Sequence, residues 1–191
     1  MEKQKTIAQE AYLEGVGLHT GNMSRITFRP APENTGIRFV RVDLPGKPSI
    51  AASYHHVQSS IRGTTIGTET VQVHTVEHVL AACAALGIDN LEILLTNNEP
   101  PVLDGSAQLF GELILKAGFQ EQNAERVYFT PSAPVTYEAG TTKITAVPAD
   151  KLTIDCTIAY KHPALSQQQG TFTVTPELFM KELAPARTFC F

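Results

Sequence analysis

The sequence predicts an α+β fold, because segments with strand character are grouped before and after segments with helical character instead of alternating with them. Short runs rich in β-branched residues, separated by glycine and proline, fill the first third of the chain. Two amphipathic helical stretches with one strand between them follow, and strands resume near residue 127. This order favours α+β over a doubly wound parallel sheet.

Strands are expected throughout the first third of the chain. In the segment 24–29, Ile26 and Phe28 alternate with polar residues and therefore share one face. The other expected strand regions are 6–14, which runs into the turn Gly15-Val16-Gly17, the short strand 37–42, and a hairpin over 64–73.

Two helices are expected in the middle of the chain, on either side of a strand over 88–95. The first covers 75–86, with Thr75 as its N-cap and Gly87 as its C-terminal stop. The second covers 106–117 and is stopped by Gly118. Both have an apolar stripe at helical spacing, so each should bury one face.

The second part of the chain is expected to begin after a linker over 120–125, where the composition turns polar. Strands are predicted beyond it, and Thr175-Pro176-Glu177 is typical of a helix start, here for a helix to about residue 183. The strand segments are 127–130, 135–138, 143–147 and 152–160. We therefore expect two domains, 1–120 and 126–191.

Composition excludes several classes of function. The chain has 191 residues, 42% of them apolar, and a net charge of −4 without a basic stripe, so no nucleic-acid partner is expected. No apolar run reaches the roughly 20 residues that span a bilayer, and the first residues lack the apolar core of a signal peptide. Three cysteines without ligand spacing predict a cytoplasmic protein.

The most reactive local cluster is His74-Thr75-Val76-Glu77-His78. Taken literally it is the H-x-x-E-H pattern, in which two histidines one helical turn apart hold zinc and the glutamate is the base. The alternative is that His74 is a solvated residue at the helix start. Glu77 would then only interact favourably with the positive end of the helix dipole. From this segment alone, both interpretations stay open.

Three further segments have modest structural explanations when each is taken alone. The glycines of Gly15–Gly21 (GVGLHTG) suit a strained turn, in which His19 is expected to be a hydrogen-bonded turn residue. In Leu103–Ala107 (LDGSA), Asp104 or Ser106 can cap the second helix. The segment 186–189 (ARTF) offers a hydroxyl and a cation near the chain end, which alone indicates no function.

Taken together and in order, these segments resemble the bacterial UDP-3-O-acyl-N-acetylglucosamine deacetylase family, zinc amidases of lipid A synthesis. The resemblance covers essentially all 191 residues. Its motifs are GVGLHTG at 15–21, TVEH at 75–78, LDGSA at 103–107, HPA at 162–164 and ARTF at 186–189. It implies two α+β domains, each a sheet with helices on one face, packed with the helices between the sheets and the site between the domains.

The resemblance also implies a catalytic site. The family holds Zn²⁺ with two histidines and an aspartate and keeps a position open for water. His78 matches one of the ligands, Glu77 the general base that activates the water, and Thr188 the group that stabilises the oxyanion. The implied substrate is UDP-3-O-acyl-GlcNAc, whose N-acetyl group is released as acetate.

Three further positions are implied to contact the substrate. Leu18, in the glycine-rich segment, matches a residue near the acyl-chain passage, and Phe189 should pack on the sugar or its neighbours. Tyr160 matches an aromatic residue that stacks on the uracil, beside the nucleotide-side segment that contains His162.

The family's other two zinc ligands lie in a His-Lys-x-x-x-Asp motif downstream of ARTF, so they are expected beyond Phe191. The chain is accordingly expected to be an N-terminal portion with an incomplete second domain, weak zinc binding and no catalysis of its own. The alternative is a non-catalytic module that retains some affinity for sugar nucleotide or acyl chain. Acyl-chain preference and oligomeric state do not follow from the sequence.

Substitution of His74 distinguishes the two metal-site interpretations. The deacetylase interpretation predicts that His74→Ala leaves the zinc content of the protein nearly unchanged, because His74 is outside the family motif. In the H-x-x-E-H interpretation the same change removes a ligand and abolishes zinc binding. Metal analysis of the protein expressed from the complete reading frame that contains this chain checks this, with His78→Ala as the control that should lose zinc in both cases.

Overall fold

The computed structural model describes residues 2–160 and 167–188. By its contacts the chain divides into two compact units, the first formed by 1–126 with 179–191 and the second by 127–178. Strands and helices are both present, so the predicted α+β class is confirmed. The domain limits 120 and 126 remain a prediction for the protein as a whole.

A five-stranded mixed sheet is the framework of the first unit, with strand order β2-β3-β9-β4-β5. The central strand, β9, pairs antiparallel with β3 and parallel with β4. Every second side chain of β3, including Ile26 and Phe28, is buried as the alternation predicted. The strands are β2 (Ala11–Val16), β3 (Met23–Pro30), β4 (Ile37–Arg41), β5 (Ser49–Ala51) and β9 (Leu91–Leu95).

Two helices bury their apolar sides in the same core as this sheet. They are α1 (Glu77–Ala85) and α2 (Gln108–Ala117), and Gly87 and Gly118 follow them with φ of 70° and 72°. Val79 and Cys83 of α1 and Phe110 and Ile114 of α2 belong to one buried cluster with the sheet residues. No helix in the described ranges has both the length and the apolar character needed to cross a membrane.

The first strand of the chain pairs with a strand far along the sequence and forms a two-stranded antiparallel ribbon with it. β1 (Lys3–Ile7) pairs with β10 (Phe119–Glu125). The prediction of a linker over 120–125 is therefore wrong. Its residues are polar because most of their side chains are exposed, while the backbone N–H and C=O groups pair with β1.

A small three-stranded sheet lies between β5 and α1 in the sequence. A 3₁₀ turn over Tyr54–His56 leads into β6 (Val57–Ser59), which pairs with β7 (Thr65–Gly67), which pairs with β8 (Gln72–Val73). The predicted hairpin over 64–73 is the β7–β8 pair. This sheet brings residue 64 beside the start of α1, where Val76 N–H donates to Thr64 O over 3.2 Å.

The second unit contains two antiparallel hairpins. They are β11 (Val135–Ala139) with β12 (Thr142–Ala146), and β13 (Thr153–Ala159) with β14 (Gln167–Thr173). The predicted strand over 127–130 is wrong, since no strand is assigned there. The predicted helix over 175–183 is confirmed as a short helix, α3 (Pro176–Leu178), followed by a π-helical turn over Phe179–Leu183 that belongs to the first unit.

Shortening a buried side chain of the central strand should destabilise the protein far more than shortening an exposed side chain of a helix. Leu95 in β9 is fully buried, whereas Leu115 in α2 is 46% exposed. Leu95→Ala should lower the free energy of unfolding by about 2 to 5 kcal/mol, because it leaves a cavity in the core. Leu115→Ala should change it by less than about 1 kcal/mol. Urea denaturation measures both, and equal losses would contradict the burial of β9.

Candidate active site

The first turn of α1 carries Glu77 and His78, and the residue that leads into it has an unusual backbone. Thr75 has φ = 54°, in the left-handed region that residues with a Cβ seldom adopt. The prediction of Thr75 as N-cap is wrong, because Val76 occupies that position and makes no side-chain cap bond. The Thr75 hydroxyl instead donates to Glu99 Oε1 over 2.7 Å.

The carboxylate of Glu77 is oriented by the small sheet. The backbone N–H of Thr64 donates to Glu77 Oε2 over 2.9 Å, which leaves the other oxygen on the opposite side of the carboxyl group. A fixed backbone donor holds the side chain in one orientation without introducing a competing charge. Glu77 is therefore a partly buried carboxylate held in place by one hydrogen bond.

Residue 63 has no side chain at the point where three polar groups meet. A Cβ at Gly63 would lie 3.5 Å from Glu77 Oε1, 3.5 Å from His19 Nε2 and 3.7 Å from Thr75 Oγ1. These groups come from two segments that are distant in sequence, one with His19 and the other with Thr75 and Glu77, and all of them border the space beside Gly63. The absence of a side chain leaves this space open next to the Glu77 carboxylate.

His78 lines a small cavity beside Glu77. The cavity has a volume of about 10 Å³, room for roughly one water molecule. Its walls are mostly apolar, and among the described residues that line it His78 is the one ionisable side chain. The other lining residues are Leu18, Thr75, Pro100, Pro101, Val102, Gly105 and Phe110. An imidazole in such a wall can ligate a metal or donate to a carbonyl.

The segment that carries Thr188 runs along the start of α2. Ala107 N–H donates to Ala184 O over 3.1 Å, and Thr188 N–H donates to Gly105 O over 2.8 Å. Gly105 has φ = 83° and also lines the cavity of His78. The hydrogen bond from Thr188 N–H to Gly105 O therefore places Thr188 beside a residue that lines the same cavity as His78.

The loop that contains Gly105 is held by its own side chains. Ser106 donates from both its N–H and its hydroxyl to Asp104 Oδ1, and Gln108 N–H donates to Ser106 Oγ. Burial raises the pKa of the Asp104 carboxyl, but these bonds and the charge of Arg187 outweigh it and hold the pKa below its ordinary value. The N-cap position of α2 is occupied by Ala107, which makes no side-chain cap bond, so Asp104 does not cap the helix. Ser106 Oγ accepts the N–H of the first helical residue, Gln108, as predicted for one of the two residues.

The geometry does not support the literal H-x-x-E-H site. His74 precedes α1 and is separated from it by the left-handed Thr75, so one helical turn does not join the two histidines. His74 Nδ1 is bonded to Thr65 Oγ1 over 3.0 Å. Among residues 2–160 and 167–188, no group of three or more His, Cys, Asp or Glu side chains could hold a metal. Zinc binding by His78 therefore stays a prediction.

Comparison with known proteins identifies the family. A sequence model of the UDP-3-O-acyl N-acetylglycosamine deacetylase family matches residues 4–191. The chain belongs to this family. It is 46% identical over 191 residues to the bifunctional enzyme LpxC/FabZ of Chlorobaculum tepidum, covering 98% of this chain and 41% of the relative.

Two other relatives bear the name UDP-3-O-acyl-N-acetylglucosamine deacetylase. The protein of Bdellovibrio bacteriovorus is 39% identical over 188 residues, which cover 98% of this chain and 62% of the relative. The protein of Thermosynechococcus vestitus is 43% identical over 188 residues, which cover 98% of this chain and 65% of the relative. The chain therefore spans about two fifths to two thirds of the length of these relatives.

The residues that the deacetylase resemblance singled out are found in different parts of the structure. Leu18, Glu77, His78 and Thr188 all belong to the first unit, and Leu18 and His78 line one cavity. Tyr160 follows β13 in the second unit and is 51% exposed. Phe189 and His162 lie outside the described residues.

Sequence reasoning missed three contributors to the site. Thr64 acts through its backbone N–H and Gly63 through the absence of a side chain, so neither residue type signals a role. Glu99 lies in a polar, proline-flanked loop between β9 and α2, a composition that signals no role. Glu99 is 1% exposed. A buried carboxylate in a loop indicates a role, but only the structure shows that the carboxylate is buried.

Titration of Glu99 should make the protein less stable in acid. Burial raises the pKa of its carboxyl, but hydrogen bonds from Thr75 Oγ1, the N–H groups of Thr20 and His19, and Thr20 Oγ1 outweigh it and lower the pKa. The stabilisation is complete above the ordinary value of 4.5 and is lost as pH falls below it through the folded pKa.

Glu99→Gln should therefore lose less stability than the parent protein between about pH 6 and pH 3.5, because its side chain does not titrate. Thermal unfolding over this range measures the difference, and Glu69→Gln, at an exposed turn, should follow the parent curve. Parallel curves for the parent and Glu99→Gln would contradict the lowered pKa.

Proposed function

We propose that the protein containing this chain is a zinc-dependent amidase that hydrolyses the N-acetyl group of UDP-3-O-acyl-GlcNAc in lipid A synthesis. Water adds to the acetamide carbonyl, the C–N bond breaks, and acetate and the free amine are released. The observation that carries the proposal is the Glu77 carboxylate, fixed by Thr64 N–H beside His78, in a chain of the deacetylase family. As a cytoplasmic enzyme it would act on a nucleotide-linked precursor.

His78 would hold Zn²⁺ in this site, together with ligands from outside the described residues. Its imidazole borders the cavity, and Nδ1 or Nε2 of a neutral imidazole is an ordinary zinc ligand. The metal supplies Lewis-acid activation, which lowers the pKa of a water molecule to about 7. Binding of Zn²⁺ by His78 alone would be weak. The affinity for Zn²⁺ would therefore depend on the complete ligand set.

Glu77 would act as the general base. Its Oε2 is engaged by Thr64 N–H, so Oε1, on the side of the open space at Gly63, is the oxygen available to take a proton from water. By resemblance, a further histidine from outside the described residues would give a proton to the departing amine. This role requires only a carboxylate in a fixed orientation close to the metal ligand.

Two other residues would act on the substrate from the cavity's edge. Thr188, held by its N–H on Gly105 O, would donate its hydroxyl to the oxyanion that forms on the acetyl carbonyl. Leu18, in the apolar wall, would contact the acyl chain. By resemblance, Phe189 would contact the sugar and Tyr160 the uracil.

Replacement of the base separates catalysis from metal binding. Glu77→Gln keeps an oxygen for Thr64 N–H but cannot take a proton, so kcat should fall by about 10² to 10⁴ while zinc content stays the same. The assay is acetate release by the protein expressed from the complete reading frame that contains this chain, with metal analysis of each sample.

Glu69→Gln, at the exposed turn between β7 and β8, is the matched control and should retain full turnover. Undiminished turnover in Glu77→Gln would refute the base assignment. A parent protein that binds the substrate but releases no acetate would refute the deacetylase function and support a binding module.

A further inference from the structure

A buried carboxylate that the proposed chemistry does not use lies next to the site. Glu99 is 1% exposed and lies in the loop between β9 and α2. Removing a charge from water is costly unless hydrogen bonds replace its hydration. The partners of this carboxylate are hydroxyl and backbone N–H groups.

These donors come from two separate segments of the chain. Thr20 donates from its N–H over 2.9 Å and from its hydroxyl over 2.8 Å, both to Glu99 Oε2. His19 N–H lies 3.2 Å from each oxygen, and Thr75 Oγ1 donates to Oε1 over 2.7 Å. One carboxylate therefore joins the glycine-rich loop to the turn that begins α1.

The loop approaches the carboxylate so closely that a side chain at residue 17 would displace Glu99 or Thr20. A Cβ there would lie 2.7 Å from Thr20 Oγ1 and 2.9 Å from Glu99 Cδ, closer than real Cβ contacts. Leu18, between Gly17 and the two donor residues, contributes its side chain to the cavity that His78 lines. The backbone after Leu18 is thus held by hydrogen bonds to Glu99, and the backbone before it lies close to the same carboxylate.

We propose that Glu99 is a positioning residue, which fixes the loop 17–20 on Thr75 and so sets Leu18 in the cavity wall beside His78. Its consequence for the acyl chain rests on the proposed function. Among the described residues, the other backbone bonds of the loop are Gly17 N–H to Asn22 O and Gly21 N–H to Gly17 O, both within the loop itself, while Val102 N–H donates to Val16 O just before it. Without the carboxylate, Leu18 loses its fixed place relative to His78.

Glutamine can preserve this arrangement, whereas alanine cannot. With its amide nitrogen toward Thr75, whose hydroxyl accepts as well as donates, glutamine keeps its carbonyl oxygen for the Thr20 donors. The bonds become weaker because the acceptor is no longer charged. Glu99→Gln should therefore keep the loop 17–20 mostly in place, whereas Glu99→Ala should release it.

The first measurement is amide hydrogen exchange in the 191-residue chain, which requires no activity. Glu99→Ala should speed exchange of the His19 and Thr20 amides about tenfold or more, while β3 and β9 amides keep their protection. Glu99→Gln should lie close to the parent, and Glu69→Ala should equal it. Unchanged exchange of the loop in Glu99→Ala would overturn the proposal whether or not the protein is a deacetylase.

The second measurement is kinetic and uses substrates with long and truncated acyl chains, with the protein from the complete reading frame. Glu99→Ala should raise KM for the long-chain substrate about tenfold and change KM for the truncated one much less. Leu18→Ala should have the same selectivity and add little in the Glu99→Ala background, because both changes remove one contact.

Equal KM changes for the two substrates, or additive effects of the two substitutions, would show that Glu99 only stabilises the fold and would overturn the positioning role. If the parent protein releases no acetate, the proposed function fails, while the exchange measurement still decides whether Glu99 holds the loop.

Discussion

A single buried carboxylate joins the parts of the candidate site that the chain supplies from far apart in sequence. Glu99 lies shortly after the central strand β9, so its backbone is anchored by the best-buried part of the sheet. It draws in the loop around His19 and Thr20 on one side and the Thr75 turn on the other. Its donors are neutral hydroxyl and backbone N–H groups.

Two glycines make these close approaches possible. Gly17 lets the loop backbone meet the Glu99 carboxylate, and Gly63 leaves the space beside Glu77 Oε1 open. Neither has a positive φ, so the requirement at both positions is for absent volume and not for an unusual backbone. The free carboxylate oxygen of Glu77 faces a space that any larger residue at 63 would narrow.

The site also depends on how the end of the described chain returns to the first unit. The segment after the π-helical turn is held by backbone bonds to Gly105 and Ala107 at the start of α2. Thr188 is thereby placed beside Gly105, whose loop is braced by Asp104 and Ser106. Residues more than eighty positions apart thus contribute to one neighbourhood, so the oxyanion role proposed for Thr188 depends on long-range packing.

The sequence by itself determined the α+β class, both central helices and, through five ordered motifs, the family to which the chain belongs. Hydrophobic periodicity and motif order are local properties, so they survive without coordinates. Only the tertiary structure decided that 119–125 is a strand, that Thr75 turns away from α1, and that Glu99 is buried. Each of these depends on a partner distant in sequence: β1 for the strand, Glu99 for Thr75, and the glycine-rich loop for Glu99. A polar residue that is buried with a hydrogen-bond partner looks the same in the sequence as one that is exposed to solvent. Only the fold distinguishes them.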